Sequence, residues 1–220
     1  MAWLVCFALG MEARPFRARL PAAEPIEVLV TGMGPRRARL ALEECLASAP
    51  PRAAIAAGLA GALDPRLPRF TVLYEADPGF PRMHAWTPAG AQPGRFTTQS
   101  RIASTAAAKA QLRAETGADA VDMESEALRD LCRRHQVPSA TVRVISDLAS
   151  EDIPLDFNRF LDPDGRWRWA RLLASLARSP RCIAPLVRFQ HCNRLAARHL
   201  ASALVAFLAA RPAAGPDAIA

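Results

Sequence analysis

Val121-Asp122-Met123-Glu124-Ser125, followed about twenty residues later by Val142-Arg143-Val144-Ile145-Ser146-Asp147, is the pair of stretches on which the reading of this chain turns. Thr141 to Ile145 is a β-branched run, the clearest buried strand in the sequence. Before it, Ala118 to Val121 is short and apolar, and Asp122 to His135 reads as a strong helix ended by Val137-Pro138. Asp147 therefore comes directly after a buried strand, and Glu124 lies at the start of the preceding helix. In open α/β sheets the crevice beyond the carboxyl ends of strands is where ligands bind. A carboxylate held there is partly desolvated, which raises its pKa from about 3.9 and lets it keep a proton for delivery. Glu124 faces either solvent or the same crevice. The plainer alternative has Asp147 capping the next segment and Glu124 complementing the helix dipole.

Working towards the start of the chain, three apolar runs stop at small or polar residues. Trp3 to Leu9 stops at Gly10, Ile26 to Val30 at Thr31-Gly32-Met33-Gly34, and Ala53 to Ala57 at Gly58-Leu59-Ala60-Gly61. Between the second and third, Arg36 to Ser48 carries an approximate helical stripe of Leu40, Leu42, Cys45 and Leu46. Strand, glycine turn, helix, strand is the pattern of a βαβ unit in a parallel or mixed sheet. Phe70 to Tyr74 is a further strand, Asp77 to Gly94 a proline- and glycine-rich loop, and Ile102 to Glu115 a helix. Ile153 to Gly165 reads as irregular. Trp167 to Leu208 reads as two helices broken near Pro180 and Pro185, and 212–220 as a frayed tail.

The expectation is one α/β domain over residues 1–211, a three-layer fold with a central mixed sheet flanked by helices. A C-terminal helical extension covers about 166–209. With 51% hydrophobic and 22% charged residues the chain is not of disordered composition. Its net charge of +7 rests almost wholly on arginine, since Lys109 is the one lysine, and it gathers late in the chain. That favours phosphates or anionic lipid over a uniform nucleic-acid-binding surface, and no nucleic-acid partner is expected. Five cysteines without a CxxC spacing argue against a disulfide framework and suit a reducing cytoplasm. Met1 to Gly10 lacks a cationic leader region and reads as a first strand. His191, Cys192 and His199 lack a third ligand and read as surface and packing residues, so no metal is expected. Gly32-x-Gly34 lacks the third glycine of a dinucleotide fingerprint, so no cofactor is expected beyond phosphate or water as co-substrate.

The pairing of Val-Asp-Met-Glu-Ser with Arg-Val-Ile-Ser-Asp resembles the nucleoside phosphorylase and nucleosidase superfamily, in particular its methylthioadenosine/adenosylhomocysteine nucleosidase branch. Gly58 to Gly61, Thr31 to Gly34 and Gly10-Met11-Glu12 fit the same resemblance, which runs from residue 1 to about 160. The resemblance implies cleavage of the bond between a purine, adenine, and a ribose. Glu124 would accept hydrogen bonds from the ribose 2′- and 3′-hydroxyls, with Met123 under the sugar. Asp147 would protonate or hydrogen-bond N7, with Ser146 holding it. Arg101 and Ile102 would sit by the base, and a loop from Gly58 to Gly61 would line the ribose or nucleophile side. Relatives are often dimers, trimers or hexamers, so the resemblance also implies a homo-oligomer.

One departure concerns the nucleophile. The hydrolytic branch places a water-activating glutamate in a Met-Glu-Glu-Glu context, whereas here the run is Met11-Glu12-Ala13-Arg14, which sets Arg14 at that position. Arginine is no general base but holds phosphate well. Arg14 with Gly10 is therefore the candidate phosphate site, and phosphorolysis the expected chemistry, with recruitment of Glu12 as base the alternative. Ile153-Pro154-Leu155-Asp156, Leu161 to Arg166 and Leu172 to Leu176 resemble the hopanoid-associated phosphorylases, which implies an adenosylhopane-type substrate. The basic, tryptophan-bearing run from Arg166 to Arg181 suits peripheral contact with a membrane, or else packs its apolar stripe on the sheet. Two other functions stay open: a hydrolytic nucleosidase for methylthioadenosine, adenosylhomocysteine or futalosine, and a non-enzymatic membrane-peripheral binder on an inactive phosphorylase fold.

Overall fold

The computed structural model describes residues 1–22, 24–160, 162 and 168–210. The expected tail at 212–220, and Leu161 with Pro163 to Trp167, lie outside the described residues.

The first strand, β1 (Trp3–Phe7), shows how the layers form. Trp3, Val5 and Phe7 enter one core cluster and Leu4 and Cys6 another, so alternate side chains feed opposite faces of a sheet covered on both sides. Helix α1 (Gly10–Arg17) follows, then β2 (Ile26–Val30), α2 (Pro35–Ser48) and β3 (Ala53–Ala62). Next come β4 (Val72–Ala76), β5 (Ala91–Pro93), β6 (Phe96–Thr98), α3 (Ala106–Thr116) and β7 (Ala120–Asp122). The chain then forms α4 (Ser125–Arg134), β8 (Ser139–Asp147), α5 (Trp169–Arg178) and α6 (Ile183–Ala209). The eight strands form one mixed sheet in the order β2-β1-β3-β8-β4-β5, with β7 added to the end of β3 and β6 to β7. β1, β2, β3 and β8 run parallel, so their carboxyl ends share one edge. β4 runs antiparallel to β8 and parallel to β5, and β7 antiparallel to β3 and parallel to β6. On one face lie α2 and α4, through Leu42, Leu46, Leu128 and Leu131. On the other lie α1 and α6, through Phe16, Leu200, Leu204 and Phe207. The central mixed sheet between helices is the expected architecture, and the C-terminal region supplies α6, which completes one of its layers.

Several expectations need correction. The alanine run does not stop at Gly58: β3 continues through Gly58-Leu59-Ala60-Gly61 to Ala62. Asp147 is the last residue of β8 rather than the first after it. The Asp77 to Gly94 stretch is a loop for most of its length, but it buries Phe80 and Trp86 and ends in β5. Trp86 stacks on Phe207 of α6 at 3.6 Å between ring centres. Met123 and Glu124 sit in the turn before α4, with Glu124 at its N-cap position. Pro185 does not break the last helix, since it falls in the first turn of α6, where its missing N–H goes unused.

Candidate active site

At the shared edge of β1, β3 and β8 lies a cavity of about 190 Å³. Its walls include Glu12 from α1, Met123 and Glu124 from the β7–α4 turn, and Ser146 and Asp147 from β8. The two acids singled out in the sequence thus face one cavity, and both are buried.

Asp147 reaches this position through an irregularity in the sheet. Along β3 and β8 the register pairs Ala60 with Ile145 and then Gly61 with Asp147, so Ser146 is an extra residue. Such a bulge breaks the alternation of side chains and re-aims them. Here it lets Ser146 and Asp147, neighbours in the chain, both enter the cavity. The Ser146 hydroxyl donates to Asp147 Oδ1 at 2.7 Å. On its other oxygen Asp147 meets Lys109 Nζ at 2.6 Å. Lys109 is fully buried on α3 and also donates to the carbonyls of Leu148 and Glu151, at 2.7 and 2.9 Å. Two of the ammonium's donors thus hold the two carbonyls, and its charge lies against Asp147.

Glu124 is fixed differently. Its Oε1 accepts from the Gly34 backbone N–H at 2.9 Å, which explains why the turn after β2 is rich in glycine. Gly34 adopts a φ of +88°, a conformation that side chains resist. Glu124 Oε2 lies 3.6 Å from Arg143, whose guanidinium also pairs with Asp122 at 2.5 Å. Burial pushes the Glu124 carboxyl up to about 7, against the opposing pull of Arg143.

Glu12 completes the group. It accepts from the backbone N–H of Leu9 at 3.0 Å and of Leu59 at 3.4 Å. Burial raises its pKa, and Arg143 offsets part of that rise. Glu12, Glu124 and Asp147 therefore line one small space together with Arg143 and its partner Asp122, while the buried Lys109 backs Asp147 from outside the lining.

The placement of the other predicted residues follows. Ile102 and Arg101 line the cavity, Arg101 from an exposed position. Gly61 lines it and Gly58 does not. Both glycines belong to β3, and their role is clearance: a Cβ at Gly58 would stand 2.1 Å from Arg143 Nη1, and one at Gly61 2.9 Å from Asp147 Oδ2. Arg14 and Gly10 are exposed and absent from the lining, so the phosphate site expected of them does not form at this cavity. The reason is helical phase: residues two apart on a helix differ by about 200°, so with Glu12 turned inward Arg14 turns outward. Sequence reading left Arg143 and Lys109 without a role. Their signals were a charge inside a β-branched run and the chain's one lysine. His199 stacks on Phe70 at 5.0 Å, a packing contact. Among the described residues no three histidines, cysteines or acids are grouped to hold a metal.

Fold and cavity together describe an α/β protein with a small, acid-lined space at the carboxyl edge of its sheet. Residues 91–177 match the sequence model of the family described as the phosphorylase superfamily, so the resemblance seen in the motifs holds. The 5′-methylthioadenosine/S-adenosylhomocysteine nucleosidase of Mycobacterium bovis is 41% identical over 51 residues, 23% of this chain and 20% of that protein. The aligned stretch thus spans a fifth of this curated relative's length. Among solved structures, the nucleosidase of the same description from Neisseria meningitidis, in complex with methylthio-immucillin-A, superposes with a TM-score of 0.70 at 16% identity. That superposition covers 94% of this chain and 98% of that one. Futalosine hydrolase of Helicobacter pylori gives 0.67 at 15% identity, over 94% of this chain and 97% of that one. At such identities the superpositions establish the fold.

Proposed function

We propose that this chain hydrolyses the N-glycosidic bond of an adenine nucleoside. The observation that carries this reading is Glu12: a buried carboxylate with a raised pKa faces the cavity where the sequence had suggested an arginine. A carboxylate in that state is suited to take a proton from water. Water's oxygen attacks C1′, the C1′–N9 bond breaks with its electron pair passing to the base, and Glu12 takes the water proton. Asp147 delivers or shares a proton at N7, which makes adenine a better leaving group. Glu124 accepts from the ribose hydroxyls and places negative charge beside the oxocarbenium-like sugar. The fold shared with nucleosidases and with futalosine hydrolase supports hydrolysis over phosphorolysis. So does the outward position of Arg14.

The test is adenine release from adenosine and methylthioadenosine with and without phosphate. Release is expected to be independent of phosphate, unchanged in Arg14→Ala, and about 10² to 10⁴-fold slower in Glu12→Gln and Asp147→Asn. Strict dependence on phosphate, or full activity in Asp147→Asn, would overturn the assignment.

A lipid-linked 5′ substituent is a second reading, favoured by one observation. α5 exposes Leu173 (63%), and Arg168, Arg171 and Arg178 are exposed along the same segment, which joins an apolar side chain to positive charge as in helices that lie on anionic lipid. The cavity of about 190 Å³ is below the roughly 300–1,000 Å³ usual for drug-sized ligands, so such a tail would have to remain outside it. Co-sedimentation with phosphatidylserine vesicles should weaken in Leu173→Asp on this reading; equal binding by both proteins removes it.

A further inference from the structure

The α6 wall of the cavity carries a polar group that none of the steps above uses. Phe189, Gln190 and Asn193 lie within one turn of α6 and all line the cavity. Phe189 meets Phe157 at 5.8 Å between ring centres, which makes this wall largely apolar. Within it Asn193 is buried (8% exposed), and its Oδ1 has no hydrogen-bond partner among the described residues. A buried acceptor left unpaired is costly, so one that borders a cavity is most simply completed by what enters the cavity.

We infer that Asn193 reads the 5′ end of the nucleoside by accepting a hydrogen bond from a donor there, a hydroxyl or an amine. This deepens the hydrolase reading and rests on it. The three acids take the ribose 2′- and 3′-hydroxyls, C1′ and N7, and the 5′ position is the remaining sugar group able to donate. The backbone of Ile102, beside the expected base position, already exchanges two hydrogen bonds with the Asn158 side chain, at 2.9 and 3.0 Å. Asn193 is thus a free, uncharged acceptor on the cavity wall for a substrate that presents a donor, and it disfavours a purely apolar 5′ group. A site built to hydrogen-bond a hydroxyl discriminates strongly against the analogue that lacks it.

The test compares adenosine, 5′-deoxyadenosine and purine riboside, which lacks the 6-amino group. Dissociation constants are measured by calorimetry on the Asp147→Asn background, and kcat/KM on the active chain. The intact Asn193 should favour adenosine over 5′-deoxyadenosine by about tenfold. Asn193→Leu, close in size, should abolish that ratio by weakening adenosine alone, and Asn193→Asp, which keeps an acceptor, should retain it. A ratio unchanged in Asn193→Leu, or a loss confined to the 6-amino group, overturns the inference. If Asn193→Leu fails to fold, a lost preference in Asn193→Asp overturns it and a retained one supports it. Nucleosides that bind with the expected ratio but release no adenine sink the hydrolytic reading and leave Asn193 as their recognition group. No binding at all overturns both.

Discussion

Glu124 is held between two opposing influences, burial that favours its neutral form and Arg143 that favours its charge, and the balance falls near pH 7. The consequences for stability and for binding have opposite signs. Its folded pKa lies above the unfolded value of 4.5, so between those two pH values the folded chain binds more protons and stability falls as pH rises. That difference corresponds to about 3 kcal/mol. Glu124→Gln, which cannot ionise, should therefore melt closer to the native chain at pH 5 and gain on it by pH 8; a difference in Tm that does not change with pH would contradict this. Binding runs the other way, because the carboxylate accepts from two ribose hydroxyls and the acid from fewer. Nucleoside affinity should rise through pH 7 in the native chain and stay flat in Glu124→Gln. Asp147 and Glu124 were legible in the sequence because each belongs to a short contiguous motif. Glu12 was legible only as the alternative to Arg14, because choosing between residues 12 and 14 requires the rotational phase of α1, and eight helical residues with a proline among them leave that phase open.

Among the elements, β3 shows most plainly how sequence grammar and three-dimensional need diverge. Glycines normally mark where a strand ends. Gly58 and Gly61 lie within β3 because side chains of the neighbouring strand lie across them: Arg143 pairs in register with Gly58, and Asp147 with Gly61. Gly58→Ala should cost about 1–3 kcal/mol, since its new carbon would meet a guanidinium already tied to Asp122. Gly61→Ala should leave stability closer to native and reduce catalysis, since it displaces the carboxylate of Asp147. Chemical denaturation and adenine release measured on both variants separate the two effects, and equal stability losses would contradict the distinction. β8 itself was readable from its β-branched residues. Its extra residue at Ser146 was not, because a bulge depends on the partner strand and leaves no local signature.

Over the whole molecule, helix α6 decides what can be removed. Leu200, Leu204 and Phe207 are buried in the same cluster as Trp3, Val5 and Val144 of the sheet. The periodicity of residues 167–208 showed helices but not whether they cover the sheet or stand apart, because an apolar stripe serves either end. The Asp77 to Gly94 stretch, whose Trp86 packs on Phe207, was unreadable for a related reason: its core residues follow no period. A chain cut before Trp167 should lose its cooperative melting transition, and retention of a sharp transition would show that α6 is dispensable. Phe189 and Asn193 border the cavity a few turns along the same helix that carries Leu200 and Phe207 into the core. Recognition and folding thus share one rod. Any drift in the kind of substrate accepted at that wall must also be tolerated by the packing of the sheet, so new specificities in this lineage are easier to reach through the segment around Phe157 than through α6.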